Sequence, residues 1–157
     1  MDTLPIRLHP GQDLRSALEA AVGAAGCRAA FVLSGIGSLS EARLRLAGAR
    51  EVQALAGELE ILSLAGTVAA NGSHLHAALS TSDGSVLGGH VAPGCIVRTT
   101  AEVLLALLPE WDLMREADAS TGYDELVVRP AQDISTRSNA SSSVSISTLP
   151  SSARKGE

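Results

Sequence analysis

The sequence predicts an α+β domain: a compact, mostly antiparallel β-sheet with a flanking helix. Three observations carry this. Short apolar runs recur between clusters of Gly, Pro, Asn and Asp, the pattern of strands separated by turns. A capped helical period of apolar residues occurs clearly only once. The chain has 157 residues, 45% of them hydrophobic but only three aromatic, so one domain must build its core from Leu, Val, Ile and Ala.

Leu4 to His9 reads as a first strand, ended by Pro10-Gly11. Asp13 can cap a helix whose apolar face is Leu14, Leu18, Ala21, Val22 and Ala25, with Gly26 as the stop. Ala29 to Leu33 is a short buried strand, and Gly35-Ile36-Gly37-Ser38 is a turn. Ala42, Leu44 and Leu46 alternate with Arg43 and Arg45, as on a half-exposed strand. Ile61 to Val68 is a strand ended by Asn71-Gly72. Ser73 to Thr81 and Ser85 to Val91 flank the turn Ser82-Asp83-Gly84. After Pro93-Gly94, the apolar stretch Cys95 to Leu108 is strand-like at Ile96-Val97 and Val103 to Leu105. Leu126 to Val128 is a last short strand.

Composition changes at Pro130. Residues 131–157 contain nine serines and few apolar residues. Such a stretch cannot offset its ordering entropy by burial, so it is expected to be a disordered tail after a domain of residues 1–130. Residues 1–130 carry nine Arg and fifteen acidic residues, and the tail three positive and two negative charges. That balance argues against a DNA-binding surface, and so few aromatics argue against a stacking platform. No apolar run is long enough to cross a bilayer, and the first residues show no basic segment before an apolar one. Cys27 and Cys95 form no CxxC pair, which fits reduced thiols in a cytoplasmic protein.

Three of the four histidines fall close together: His74, His76 and His90. Positions i and i+2 of a strand share a face. A three-residue loop, Ser82-Asp83-Gly84, with Gly in the left-handed region, pairs Thr81 with Ser85 and so His76 with His90. The three imidazoles then share one face, and Leu75, Leu79, Leu87 and Val91 share the other. A two-residue loop would put His90 opposite Ala77 and among the leucines. Three neutral imidazoles with an open fourth position suit zinc, with nickel, copper and iron as alternatives, and support hydrolysis or hydration when metal is bound. Gly88-Gly89 beside them permits close approach of another backbone.

These residues carry a resemblance. Gly72 to Ala77 (GSHLHA), Asp83 to His90 (DGSVLGGH) and Pro93-Gly94, with Glu60 to Gly66 before them and Thr100-Ala101-Glu102 and Thr121 to Leu126 after, closely resemble the PPC domain, the plant and prokaryote conserved domain. The likeness runs from about Leu4 to Arg129. It implies a compact antiparallel sheet with a flanking helix, assembled as a homotrimer. It implies a divalent metal at His74, His76 and His90, as in some prokaryotic members. Plant members follow an AT-hook of the Arg-Gly-Arg type and regulate transcription, and prokaryotic members are often labelled DNA-binding by analogy. This sequence contains no Arg-Gly-Arg run, so direct DNA binding is not expected.

Other residues are candidates for the surroundings of the metal. Glu60 is a candidate acceptor for an imidazole N–H or a general base, or the partner of an arginine at a subunit contact. Glu102 lies in an apolar strand and, if buried, needs a partner such as Arg98 or Arg115. Tyr123 either lines a pocket or caps the core. The Gly35-Ile36-Gly37 pair lacks the third glycine of a dinucleotide fingerprint, since position 40 is Ser40. The expected function is a metal-binding PPC-type trimer whose open metal position a small anionic or carbonyl ligand can reach. The alternative is a DNA-associated or transcription-regulatory scaffold acting through its trimer and protein partners.

Overall fold

The one helix among the described residues begins where its cap predicts. In a computed structural model describing residues 2–131, α1 spans Leu14–Ala24, and Asp13 Oδ1 accepts from Ser16 N at 2.8 Å. The other carboxylate oxygen accepts from Gly94 N at 2.6 Å, tying the helix start to the Pro93-Gly94 turn. Leu14, Leu18 and Val22 are buried. The stretch expected to be disordered lies outside the described residues, except for Ala131.

Six strands form the main sheet: β1 (Asp2–Leu8), β2 (Ala29–Arg45), β3 (Val52–Ala69), β4 (Gly72–Ser80), β5 (Val86–Val91) and β6 (Ile96–Leu107), in the order β1-β6-β2-β3-β4-β5. Every pairing is antiparallel. One edge of β2 pairs with β6 up to Glu41 and then passes to β5, through Leu44↔Val91 and Arg45↔His90. The strands β2, β3, β4 and β5 therefore close into a ring. The core is filled by aliphatic side chains, with Leu39, Leu44, Leu75, Leu79, Val91, Val97 and Leu105 almost wholly buried. Cys95 is buried among them, and burial pushes its thiol pKa up. Cys27 is half-buried, and both cysteines are free.

The expected turn at Gly35 to Ser38 is instead the middle of β2. The glycines there serve close approach rather than reversal. A Cβ on Gly37 (φ +144°) would collide with Thr100 O and lie 2.6 Å from Ala101 Cα; one on Gly35 would lie 2.9 Å from Leu64 Cβ. β3 also starts earlier than Ile61, because Val52 to Ala56 pairs with the end of β2 despite weak alternation. β6 is one continuous strand.

A second, two-stranded sheet follows: β7 (Trp111–Asp118) and β8 (Tyr123–Pro130). Only β8 is expected from apolar pattern, because β7 carries four charged residues, Asp112, Arg115, Glu116 and Asp118. The hairpin docks on the β3–β4 turn. Ala70 N donates to Leu113 O at 2.9 Å, Asn71 Nδ2 to Arg115 O at 2.9 Å, and Arg115 N to Asn71 Oδ1 at 2.8 Å. Leu113 is buried against Ala29 and Ala69. No helix of the described residues is long and apolar enough to cross a membrane.

Candidate metal centre

Turn chemistry sets the register of the histidine ribbon. Thr81 N donates to Ser85 O and Gly84 N to Thr81 O, both at 2.9 Å, with Gly84 at φ +83°. Asp83 Oδ1 accepts from Ser85 N at 3.0 Å and holds the loop. This is the three-residue loop with a left-handed glycine, and His76 faces His90 across it. Leu75, Ala77, Leu79 and Val91 are buried on the opposite face. Gly88 on the histidine face and Gly89 on the Ala77 face permit the close approach their sequence implies. Cβ atoms there would lie 2.9 Å from Ala77 O and 2.8 Å from Arg45 O.

One ring nitrogen from each of His74, His76 and His90 lies within 4.8 Å of the others. The Nε2 atoms of His74 and His76 are 3.0 Å apart. Nitrogens bound tetrahedrally to zinc at about 2.0–2.1 Å are about 3.4 Å apart, so modest side-chain rotations bring the three to ligand spacing. His90 Nδ1 is buried with no hydrogen-bond partner among the described residues. An orphaned buried nitrogen beside two converging imidazoles fits a site built to receive a cation or a further polar partner. The donor set therefore fits a divalent metal of zinc type.

Burial lowers the His90 pKa to about 4, helped by His74 and by Arg45. Burial, then Arg115 and His76, lowers that of His74. Both rings are thus neutral at pH 7, as ligands must be. The same shift sets a pH dependence of stability. Between the unfolded imidazole value of ~6.5 and the folded value of about 4, the unfolded chain binds a proton at His90 that the folded chain refuses, so stability falls as pH falls through that window. We expect chelator-treated wild-type protein to lose melting temperature between pH 6.5 and 4 more steeply than His90→Asn. Parallel curves for the two proteins would show that His90 is not held neutral.

Arg115, from β7, sets the state of His74. Its guanidinium donates to His74 Nδ1 at 2.9 Å and to Asp124 O at 2.8 Å, with Glu125 Oε2 at 3.9 Å. Arginine can only donate. His74 Nδ1 therefore carries the lone pair, and its Nε2 carries the hydrogen, donated to His76 Nε2. A metal at His74 Nε2 needs the opposite tautomer, so Arg115 must let go for that nitrogen to ligate. Arg115→Met, which keeps the stem and the backbone bonds to Asn71, is expected to raise divalent-metal affinity by about tenfold in chelator competition. Unchanged or weakened affinity would remove Arg115 as an opponent of metal binding.

The remaining candidates lie in different places. Tyr123 is 65% exposed and lines a cavity of about 550 Å³ together with His74, His90 and Arg115. Glu60 is exposed, between Ser38 and Ser80, away from the imidazoles. Glu102 is exposed and so needs no buried partner; Arg98 pairs with Glu58, and Arg115 belongs to the histidines. Two carboxylate residues, Asp124 and Glu125, line this cavity, and Glu125 also lines a second of about 350 Å³ beside His74 and His76. Glu125 lies in the Thr121 to Leu126 stretch that carries the resemblance, but only as part of that motif, and no motif marks Arg45. The only sequence signal for Arg45 is its alternation with Leu44 and Leu46, which marks a polar strand face without saying what faces it.

A model of the Plants and Prokaryotes Conserved (PCC) domain matches residues 1–109, ending before β7. The chain is 46% identical over 126 residues to the bifunctional protein GlmU of Synechococcus sp. strain JA-2-3B'a(2-13), covering 80% of this chain but only 20% of that protein. It thus spans about a fifth of the length of the curated relatives it matches. Among solved structures, a hypothetical protein from Salmonella enterica is 41% identical with a TM-score of 0.80, covering 83% of this chain and 95% of that one. A metal-containing protein from Archaeoglobus fulgidus is 30% identical with a TM-score of 0.70, covering 81% and 94%.

Proposed function

The chain belongs to the Plants and Prokaryotes Conserved domain family, and from that premise we propose that His74, His76 and His90 hold one divalent metal per chain, with zinc as the resident ion. The observation that carries the reading is the convergence of three imidazole nitrogens from paired strands, on the face turned away from the core. The Archaeoglobus relative described as metal-containing supports it. When bound, the metal supplies a Lewis acid with an open position. The chain's own residues orient the rings, keep two of them neutral and bound the cavity around them. Whether the site binds a ligand or transforms it turns on a base beside the metal, and Glu125 is the carboxylate nearest that role. Metal analysis of protein purified without chelator or added metal tests the reading. One equivalent of zinc per chain is expected, and less than about a tenth of an equivalent of any divalent metal would overturn it.

The reading includes a homotrimer in a reducing, cytoplasmic compartment. Phe31, Leu33, Ile36 and Leu62 are large apolar side chains left exposed on β2 and β3, and exposed apolar groups of this kind mark contact surfaces. Light scattering coupled to size exclusion is expected to give three times the 16.0 kDa chain mass; a mass of one chain would remove the trimer. Direct DNA contact is not part of the reading, because a net charge of -5 opposes approach to the polyanionic DNA backbone.

A further inference from the structure

The cavity on the His74–His90 side of the ribbon has an unusual lining. Its volume is about 550 Å³, and no aliphatic side chain lines it. Ligand cavities of this size are normally mostly apolar. Here three guanidiniums meet from separate elements: Arg15 of α1, Arg45 at the end of β2 and Arg115 of β7.

Two of the three are placed by specific packing. Arg15 Nε donates to Glu19 Oε1 at 3.0 Å, and the same oxygen accepts from Ser73 N at 3.1 Å and Ser73 Oγ at 2.7 Å. Arg15 is thereby fixed beside the residue that precedes His74. Arg45 pairs with His90 in register, which puts the two side chains on one face. Gly89 makes that pairing possible, since any side chain there would press on the Arg45 carbonyl.

Charge decides what fits. Arg45 is half-buried, and its guanidinium makes no ion pair or hydrogen bond among the described residues. A partly desolvated cation without a counter-charge is costly. Asp124 and Glu125 also line the cavity, but Glu125 leans towards Arg115, and Asp124 gives Arg115 its backbone carbonyl. Neither is within ion-pair distance of Arg45, and Arg15 keeps Glu19 as its partner.

We propose that this cavity binds a small oxyanion, a carboxylate or a phosphate, gripped by Arg45 and Arg15 and reaching the open side of the three-histidine site. The last contact rests on the metal reading above; the grip of the arginines does not. Guanidinium–oxyanion bonds are charge-assisted and often bidentate, and a bound divalent cation adds to the pull on the same anion. A ligand with two oxyanion groups uses both ends of the cavity.

The test is a titration of the full chain, loaded with Co(II) and also chelator-treated, with inorganic phosphate and with malonate. Calorimetry reads the arginines, and the visible cobalt spectrum reads the open metal position. Saturable binding is expected in the low-millimolar range or tighter with cobalt present, and about tenfold weaker without it. Arg45→Gln should weaken binding by about tenfold, and Arg45→Lys should keep most of it. Melting curves of both variants report folding. Stronger binding of phosphate than of malonate assigns a phosphoryl ligand, and the reverse a carboxylate. No binding of either anion at about 20 mM, or equal binding by wild type and a folded Arg45→Gln, overturns the proposal. A chain that takes up no cobalt but binds anion through Arg45 fails the metal reading while the anion cavity stands.

Discussion

His76→Ala is expected to lower the affinity for zinc or cobalt by at least about a hundredfold, since even outer partners of metal ligands are worth ten- to a hundredfold. The loss should be confined to metal binding. His76 is exposed on the outer face of the ribbon, its backbone pairs with Ala65 and His90, and its neighbours Leu75 and Ala77 point the other way into the core. Metal-free His76→Ala should therefore unfold within about 0.5 kcal/mol of the metal-free wild type. Competition with a coloured chelator gives the affinity, and urea titration gives the stability. Equal affinity in the two proteins would place any bound metal elsewhere.

Gly66→Ala should have the largest effect on the fold itself. Gly66 sits in β3 at φ +139°, where a Cβ would run into the carbonyl oxygen of His74 and come within 2.8 Å of Leu75 Cα. Both neighbours are backbone of the paired strand β4, so neither can move aside without breaking the ladder. A loss of roughly 3–5 kcal/mol is expected, a large share of a typical domain's stability. Gly57→Ala is the control. Its φ is +132° but nothing lies within 4 Å of its Cβ position, so it carries the backbone strain without the collision. Urea unfolding of the two variants separates these contributions. Equal losses would mean that conformation alone, and not the approach of β4, requires the glycine. Because the collision is with His74, a folded Gly66→Ala should also bind metal less well.

The parts of this molecule written in local chemistry were legible. Asp13 caps the helix it precedes, and Ser82-Asp83-Gly84 fixes a register that carries His76 to His90. The two glycines at 35 and 37 misled because the same residue serves turning and close approach, and only the presence of β6 and Leu64 tells which. β7 was hidden because charges at Asp112, Arg115, Glu116 and Asp118 break any alternation of hydropathy, and its pairing with β8 needs only one buried side chain, Leu113. The histidines could be found because they lie within one ribbon. Arg15, Arg45 and Arg115 could not, because a one-dimensional pattern holds no trace of a ring closing between β2 and β5 or of a hairpin folding back over it.

The small outer sheet is an arm, and an arm can lift. It is held to the main body by the bonds of Asn71 and Ala70, by Arg28 to Asp112 and Met114, by Arg115 to His74 and by one buried leucine. Partial openings of this kind cost less than melting the whole. Were the arm to swing away, the guanidinium would leave the ring nitrogen it occupies, and His74 would be free to turn its lone pair inward. Uptake of an ion at the proposed site would then be tied to a movement of the scaffold, and the apparent affinity would be the intrinsic one reduced by the fraction of time the arm spends raised.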